Sequence, residues 1–411
     1  MDVDTIIVEL KNADQNILSA ALQYELKEKL ETNNSFCTLG WTSLLQDENR
    51  YRFCCYQTSP ITTSDDFDYS TNRDIAQAKQ NMLEGKPVPQ CEYCMHAEKT
   101  GRRPVRKIIS HELATLTDAN SVEEIIKLQP VDYDIRIGNQ CNAQCRMCNS
   151  EDSRLIDIEY TKLGLQDHEL GAIPSTSFVI INIDTAKRVY VAGGEPAIST
   201  EFANFLQLCI DQDRTDMVLK INTNAYILPK RFLKLIEQFD NVEFVISVDG
   251  FEDLLYYIRY PIRWDAFAEN VKTLSKLGTM CFSHCIQMYN VMGMYDLFAY
   301  FDKNYADHRS IILYVDNPDK FWFGNYPDKI AALEEIKKCK TLNRYNLDAE
   351  FKQDLLHIEN TIKNCAIDEN TLQEFYDFTD ILDGSRNHTL KKYLPALDAL
   401  RRKPCLQIRQ N

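Results

Sequence analysis

Between residues 131 and 316, six short apolar runs alternate with helical patterns, and this alternation limits what the chain can become. The runs are 132–137, 188–192, 217–222, 241–248, 280–288 and 310–315, with helical patterns such as 201–212, 229–238 and 264–277 between them. Strands that alternate with helices pair as a parallel sheet with right-handed crossovers. A closed barrel of this kind needs eight units. Six leave it open, so the spacing predicts an α/β fold: a partial (β/α)6 TIM-like barrel over residues 131–320. Such barrels keep their chemistry at the C-terminal ends of the strands, which makes the residues just past each run the ones to read closely.

The first run leads through Asp134-Ile-Arg-Ile-Gly138 into Cys141-Asn-Ala-Gln-Cys145-Arg-Met-Cys148. This is C-x3-C-x2-C in one short loop. Three thiolates there can hold three irons of a [4Fe–4S] cluster and leave the fourth open. Structural zinc is the alternative, but it usually takes two C-x2-C knuckles, a different spacing from this one. The second run ends Tyr190-Val-Ala-Gly193-Gly194-Glu195-Pro196, where paired glycines let backbone approach a ligand and Glu195 can accept from an ammonium group. Asn222 and Asn224 follow the third run, and Ser247 and Asp249 follow the fourth. Short polar side chains at such places suit hydroxyls and carboxylates, although Asp249-Gly250 also reads as a turn. Arg259 can pair with a carboxylate. Gln287 and Asn290 on the fifth run, and Val315-Asp316 at the end of the sixth, are weaker candidates for a ligand-facing role.

The cysteine loop and the Gly193-Gly194-Glu195-Pro196 segment together resemble the radical S-adenosylmethionine (radical SAM) superfamily. The resemblance covers about 36–316. It implies that Cys141, Cys145 and Cys148 hold the cluster and that S-adenosylmethionine fills its open iron. It further implies that Gly193, Gly194 and Glu195 hold the methionine amino group. Ser247, Asp249 and Arg259, with Asn222 and Asn224, would serve the ribose and the methionine carboxylate, and the backbone around Met147 would contact adenine. The activity implied is reductive cleavage of S-adenosylmethionine to a 5′-deoxyadenosyl radical that takes a hydrogen atom from substrate, with a flavodoxin- or ferredoxin-type electron donor.

A second constellation precedes the barrel: Phe36-Cys37-Thr-Leu-Gly-Trp41, Arg52-Phe53-Cys54-Cys55, and Cys91-Glu-Tyr-Cys94 with Glu98 beyond it. It resembles the auxiliary-cluster modules called SPASM and twitch, which implies a second [4Fe–4S] cluster on Cys37, Cys54, Cys91 and Cys94. Twitch modules usually follow the barrel, whereas this one comes first. Five cysteines compete for four places; Cys54 is favoured over Cys55, and a structural zinc knot is the alternative. The domain reading is a helix in 1–34, in which Leu18, Leu22, Leu26 and Leu30 fall at helical spacing. The auxiliary module occupies 35–110, the barrel 131–320, and a helical region 325–411.

Of the other cysteines, Cys209 and Cys281 read as core residues, while Cys285 and Cys405 are the two worth testing as hydrogen-atom donors. The seven histidines show no paired spacing. Net charge is −15, which argues against nucleic-acid or anionic-membrane binding. No run approaches the ~20 apolar residues of a membrane span. The first residues lack a signal peptide's basic start and apolar core, so the fourteen cysteines read as reduced thiols and metal sites of a cytoplasmic protein. The substrate expected is a peptide or protein. The alternatives are oxidation or rearrangement of a sugar- or nucleotide-like small molecule, and a non-catalytic metal-binding protein.

Overall fold

The computed structural model describes residues 18–99, 104–173, 178–305, 308–315 and 317–401. Its strands, in chain order, are β1 (Ser43–Asp47), β2 (Arg50–Arg52), β3 (Thr62–Thr63), β4 (Asp132–Arg136), β5 (Gln144–Cys145), β6 (Arg188–Ala192), β7 (Val218–Thr223), β8 (Asn241–Ser247), β9 (Arg259–Tyr260), β10 (Thr279–Ile286) and β11 (Arg309–Tyr314). The chain falls into two compact units. One is drawn from 1–140, 172–222 and 229–243, and the other from 141–171, 223–228 and 244–411.

In the first unit the strand order is β7-β6-β4-β1-β2-β3. β4, β6 and β7 are mutually parallel, with Ile135 opposite Val191 and Val189 opposite Leu219. Their apolar side chains alternate into the core: Ile135, Val189, Val191, Leu219 and Ile221 are fully buried. The helix Thr200–Asp211 in this unit buries Phe202, Phe205, Leu206 and Cys209. β1 lies parallel to β4, with Leu45 opposite Asp134, and continues antiparallel into β2 and β3. The cysteine-rich segment thus shares the sheet of β4. Ser43 fastens the start of that pairing with a 2.9 Å hydrogen bond to the Asp132 carboxylate. The helix Ala20–Thr32 buries Leu22, Leu26 and Leu30, three residues of one face, against this end of the unit.

In the second unit the order is β8-β10-β11, and β10 runs parallel to β11 with His284 opposite Ile312. The antiparallel pair β5–β9 sets Gln144 against Tyr260 and Cys145 against Arg259. Helices predominate after residue 325, chiefly Lys329–Cys339, Ala349–Asn364 and Glu369–Arg386. Their apolar faces, with Ile336, Phe351, Leu355, Phe375 and Leu382, join one core with Tyr257, Tyr289 and Phe298. Strands alternating with helices, parallel where the barrel strands pair, and a helical C-terminal region agree with the α/β partial barrel that the spacing predicts. Cys209 and Cys281 are fully buried, as their positions suggest. Among the described residues no helix is long and apolar enough to cross a membrane.

One half-buried carboxyl makes stability depend on pH. Asp354 accepts a 2.7 Å hydrogen bond from the Tyr314 hydroxyl. Burial, with Glu350 and Asp348 nearby, raises its pKa to about 6. The folded protein therefore holds this proton more tightly than the unfolded chain does. The associated stability is present below the ordinary pKa of 3.8 and is lost as pH rises to about 6. Asp354→Asn keeps the acceptor without the charge. It is expected to stabilise the protein by about 1–2 kcal/mol at pH 8, after allowance for partial exposure, and by almost nothing at pH 4. Urea unfolding at the two pH values checks this, and an equal gain at both would show the charge to be irrelevant.

Candidate active site

The cysteine loop belongs to the second unit, and its position is set by β5, which ends at Cys145. Cys145 is buried, and Cys141 and Cys148 are half-buried. Two side chains direct N–H groups at the sulfurs. Asn224 Nδ2 lies 3.9 Å from Cys141 Sγ and also donates to Asn142 Oδ1 at 2.7 Å. Arg259 Nη1 lies 3.7 Å from Cys145 Sγ. Burial pushes the Cys145 and Cys148 thiols up, and Arg259 partly offsets this for Cys145. Asn142 Nδ2 is buried without a partner.

Arg259 and Asp249 pair with each other. Arg259 Nε donates to Asp249 Oδ2 at 2.6 Å, and the other carboxylate oxygen accepts from the backbone N–H of Cys285 at 2.7 Å. Asp249 is fully buried and Arg259 nearly so. Asp249 thereby orients the guanidinium toward Cys145. Cys285 stands beside Asp249, within electrostatic reach of Arg259 and Cys145, and burial pushes its thiol up to about 12. Gln287 and Asn290, weaker sequence candidates for facing a ligand, are buried at the strand ends, and Gln287 Oε1 has no hydrogen-bond partner. Asn290 Nδ2 donates to the carbonyls of Asp249 and Cys285 at 3.0 and 2.9 Å, and its Oδ1 accepts from the Gln287 N–H. Ser247 is half-buried at the end of β8. Met147 packs against the core of the second unit. Cys405 and Asp316 lie outside the described residues.

The glycine turn after β6 lies in the first unit. Gly194 N–H donates to Gly138 O and Glu195 N–H to Gln140 O, both at 2.8 Å. Gly193 holds a positive φ of 91°. A Cβ on Gly194 would come within 2.2 Å of Gln140 O. The two glycines therefore let this turn lie against residues 137–140, the segment that runs directly into Cys141. One oxygen of Glu195, a buried residue, caps the short helix after it by accepting from Ala197 N–H at 3.1 Å. Asn222, near the end of β7, is half-buried.

The first unit also gathers the second set of cysteines. Cys37, Cys54, Cys91 and Cys94 line one largely apolar cavity. Gln57 Nε2 donates to Cys91 Sγ at 3.4 Å, and Ser110 Oγ lies 3.8 Å from Cys37 Sγ. Burial pushes all four thiols up, Cys37 to about 12. Arg106 also lines the cavity; it is buried, donates to the carbonyls of Phe36 and Leu30 at 2.9 and 3.1 Å, and pairs with Glu98. Sequence spacing alone did not single it out. Cys55 is absent from the cavity lining; it is exposed and senses Asp134, Arg136 and Arg52. Among the described residues no three His, Cys, Asp or Glu side chains converge as they would on one metal ion.

A family model for the Radical SAM superfamily matches residues 135–295. These residues form a radical SAM domain. The match spans the cysteine loop, the glycine turn, Asn222, Asn224, Ser247, Asp249, Arg259 and Cys285. No curated protein matches the chain. Solved structures similar to it include Streptococcus suis SuiB bound to S-adenosylmethionine, at 14% identity over 75% of this chain and 69% of that one, with a TM-score of 0.35. Native anSMEcpe with bound AdoMet is 14% identical over 53% of this chain and 62% of that one, TM-score 0.37. The methyltransferase TsrM from Kitasatospora setae, with cobalamin and a [4Fe–4S] cluster, is 10% identical over 44% and 36%, TM-score 0.31.

The radical SAM domain implies a [4Fe–4S] cluster and S-adenosylmethionine. The residues present fit that pair. The loop offers three thiols and no competing carboxylate among its own residues 141–148. A cluster-bound thiolate only accepts hydrogen bonds, and the neighbours of Cys141 and Cys145 are N–H donors.

Proposed function

We propose that the chain is a two-cluster radical SAM enzyme, with Cys141, Cys145 and Cys148 holding the S-adenosylmethionine cluster. The observation that carries this is the donation from Asn224 and Arg259 to two sulfurs of the matched loop. Bound there, the cluster and S-adenosylmethionine supply a 5′-deoxyadenosyl radical that takes a hydrogen atom from substrate. The protein's part is placement and the exclusion of water. Asp249 orients Arg259, and the guanidinium offers charge both to Cys145 and to a methionine carboxylate. Gly193 and Gly194 bring the glycine turn to the chain entering the loop, and Glu195, Asn222, Asn224 and Ser247 supply polar groups for the amino acid and ribose. The backbone around Met147 serves adenine.

The second cluster is assigned to Cys37, Cys54, Cys91 and Cys94. Four thiols around one largely apolar cavity suit a closed cluster, with one sulfur for each iron. A tetrahedral zinc would instead need all four sulfurs about 2.3 Å from a single point. Such a closed cluster serves electron transfer. The substrate we infer is a peptide or protein segment, for which an acidic chain with an added helical region is suited, and the electron donor is of the flavodoxin or ferredoxin type. The domain reading is a helix in 1–34, an auxiliary module in 35–110, the barrel in 131–320 and helices in 325–411, in a cytoplasmic protein.

Anaerobic purification with metal and sulfide analysis tests this. About eight irons and eight sulfides per chain are expected. Stoichiometric zinc without sulfide would overturn the assignment of both cysteine sets.

A further inference from the structure

Arg146 lies inside the cysteine loop, directly after Cys145, and is fully buried. A guanidinium keeps its charge in proteins, so burial obliges it to find partners. Its backbone N–H donates to Ile258 O and its Nε to Tyr257 O, both at 2.8 Å. Its Nη2 pairs with the Asp383 carboxylate. The guanidinium carbon stands 3.7 Å from the centre of the Tyr257 ring. The Tyr257 hydroxyl donates to the other Asp383 oxygen at 3.1 Å, so both oxygens of that acid are engaged.

Asp383 belongs to the helix Glu369–Arg386, 237 residues from Arg146. A second ion pair, with the charges reversed, joins the same helix to the helix Arg154–Lys162 that follows the loop. Arg386, three residues on and therefore on the same face, donates to Glu159 through Nε at 2.9 Å and Nη2 at 2.6 Å. Glu159, on the helix Arg154–Lys162, also accepts from Gln144 Nε2 at 3.2 Å. Gln144 and Arg146 flank Cys145. One is tied to the helix through Glu159, the other directly.

Ion pairs buried this deeply contribute little net stability compared with apolar packing of the same volume. Their advantage is position: each charge has one acceptable place, and both are spent on the neighbours of a single cysteine. We propose that the helix Glu369–Arg386 is a positioning element for the cysteine loop, and that the Arg146–Asp383 pair fixes Cys145 and Cys148 and sets the charge around the cluster they hold. The proposal rests on the cluster assignment made above.

The test uses the full chain, reconstituted anaerobically in a Cys91→Ala/Cys94→Ala parent, so that only the loop cluster is observed. Asp383→Asn leaves Arg146 uncompensated beside the cluster. The expected result is a midpoint potential shifted in the positive direction, with altered electron paramagnetic resonance g-values. Arg146→Met/Asp383→Leu removes both charges while keeping the volume filled. It is expected to fold, to return the potential toward the parent, and to lose iron to a chelator at least tenfold faster, because the loop is no longer held. If Asp383→Asn fails to fold, the chelator lifetime of the double variant decides. A parent without iron at the loop overturns the cluster assignment and this proposal with it. An iron-loaded parent whose variants match it in potential, spectrum and chelator lifetime overturns the positioning role alone.

Discussion

With Cys141, Cys145 and Cys148 all replaced by Ala, formation of 5′-deoxyadenosine from S-adenosylmethionine is expected to fall to background, and iron from about eight to about four per chain. The reason lies in the donor set. The three thiols are the only side chains in residues 141–148 that can ligate a metal as anions, and the N–H groups of Asn224 and Arg259 have no sulfur to meet once they are gone. The remaining irons report on Cys37, Cys54, Cys91 and Cys94, which line a separate cavity. Two single variants sharpen the count. Cys55→Ala is expected to keep both clusters, since Cys55 is not among the residues lining that cavity. Cys54→Ala is expected to impair the second cluster while leaving 5′-deoxyadenosine formation intact. Product from the triple variant, measured by chromatography after dithionite reduction, would refute the role given to the loop.

What the sequence made legible follows from how local each signal is. The runs 188–192, 217–222 and 310–315 reappear as β6, β7 and β11 within about one residue at each end. Apolar alternation and the polar residues that end it sit within a few positions of each other. Pairing across long sequence separations left no such mark. The four-residue stretch Ser43–Gln46 does not announce that it lies parallel to β4, because Asp132 is 89 residues away. Arg146 is visible only as a charge after Cys145, since the acid that explains it is Asp383. Spacing also left partners unseen: Asn290, a weak candidate for facing a ligand, donates to the carbonyls of Asp249 and Cys285. The glycines illustrate a subtler limit. Gly193-Gly194 signals close approach, but the approaching group is residues 137–140 of the chain itself. Asp249 and Arg259, ten residues apart, read as two independent contacts for a cofactor. Buried together, each is the other's partner.

That last pair supports a large effect on stability as well as on the site. Asp249→Ala is expected to destabilise the second unit by about 3–5 kcal/mol, the usual cost of leaving a buried charge without its partner. Arg259 would keep its charge while losing its 2.6 Å acceptor, and Cys285 N–H would lose its 2.7 Å acceptor as well. Asp249→Asn restores an oxygen for Cys285 but no charge for Arg259, so its loss should be smaller, and the difference measures the ionic share. Asp249→Ala/Arg259→Met removes both charges. Its destabilisation should be at least 1 kcal/mol less than the sum of the single changes, the sign of coupled neighbours. Denaturant unfolding of the parent, Asp249→Ala, Arg259→Met and the double variant, all without iron, provides the cycle. Additive losses would mean that Asp249 and Arg259 are held by the rest of the fold and not by each other. The same variants separate scaffold from site. If Asp249 acts through Arg259, then Asp249→Asn, still folded, should bind S-adenosylmethionine several-fold more weakly, because the guanidinium beside Cys145 loses the carboxylate that orients it.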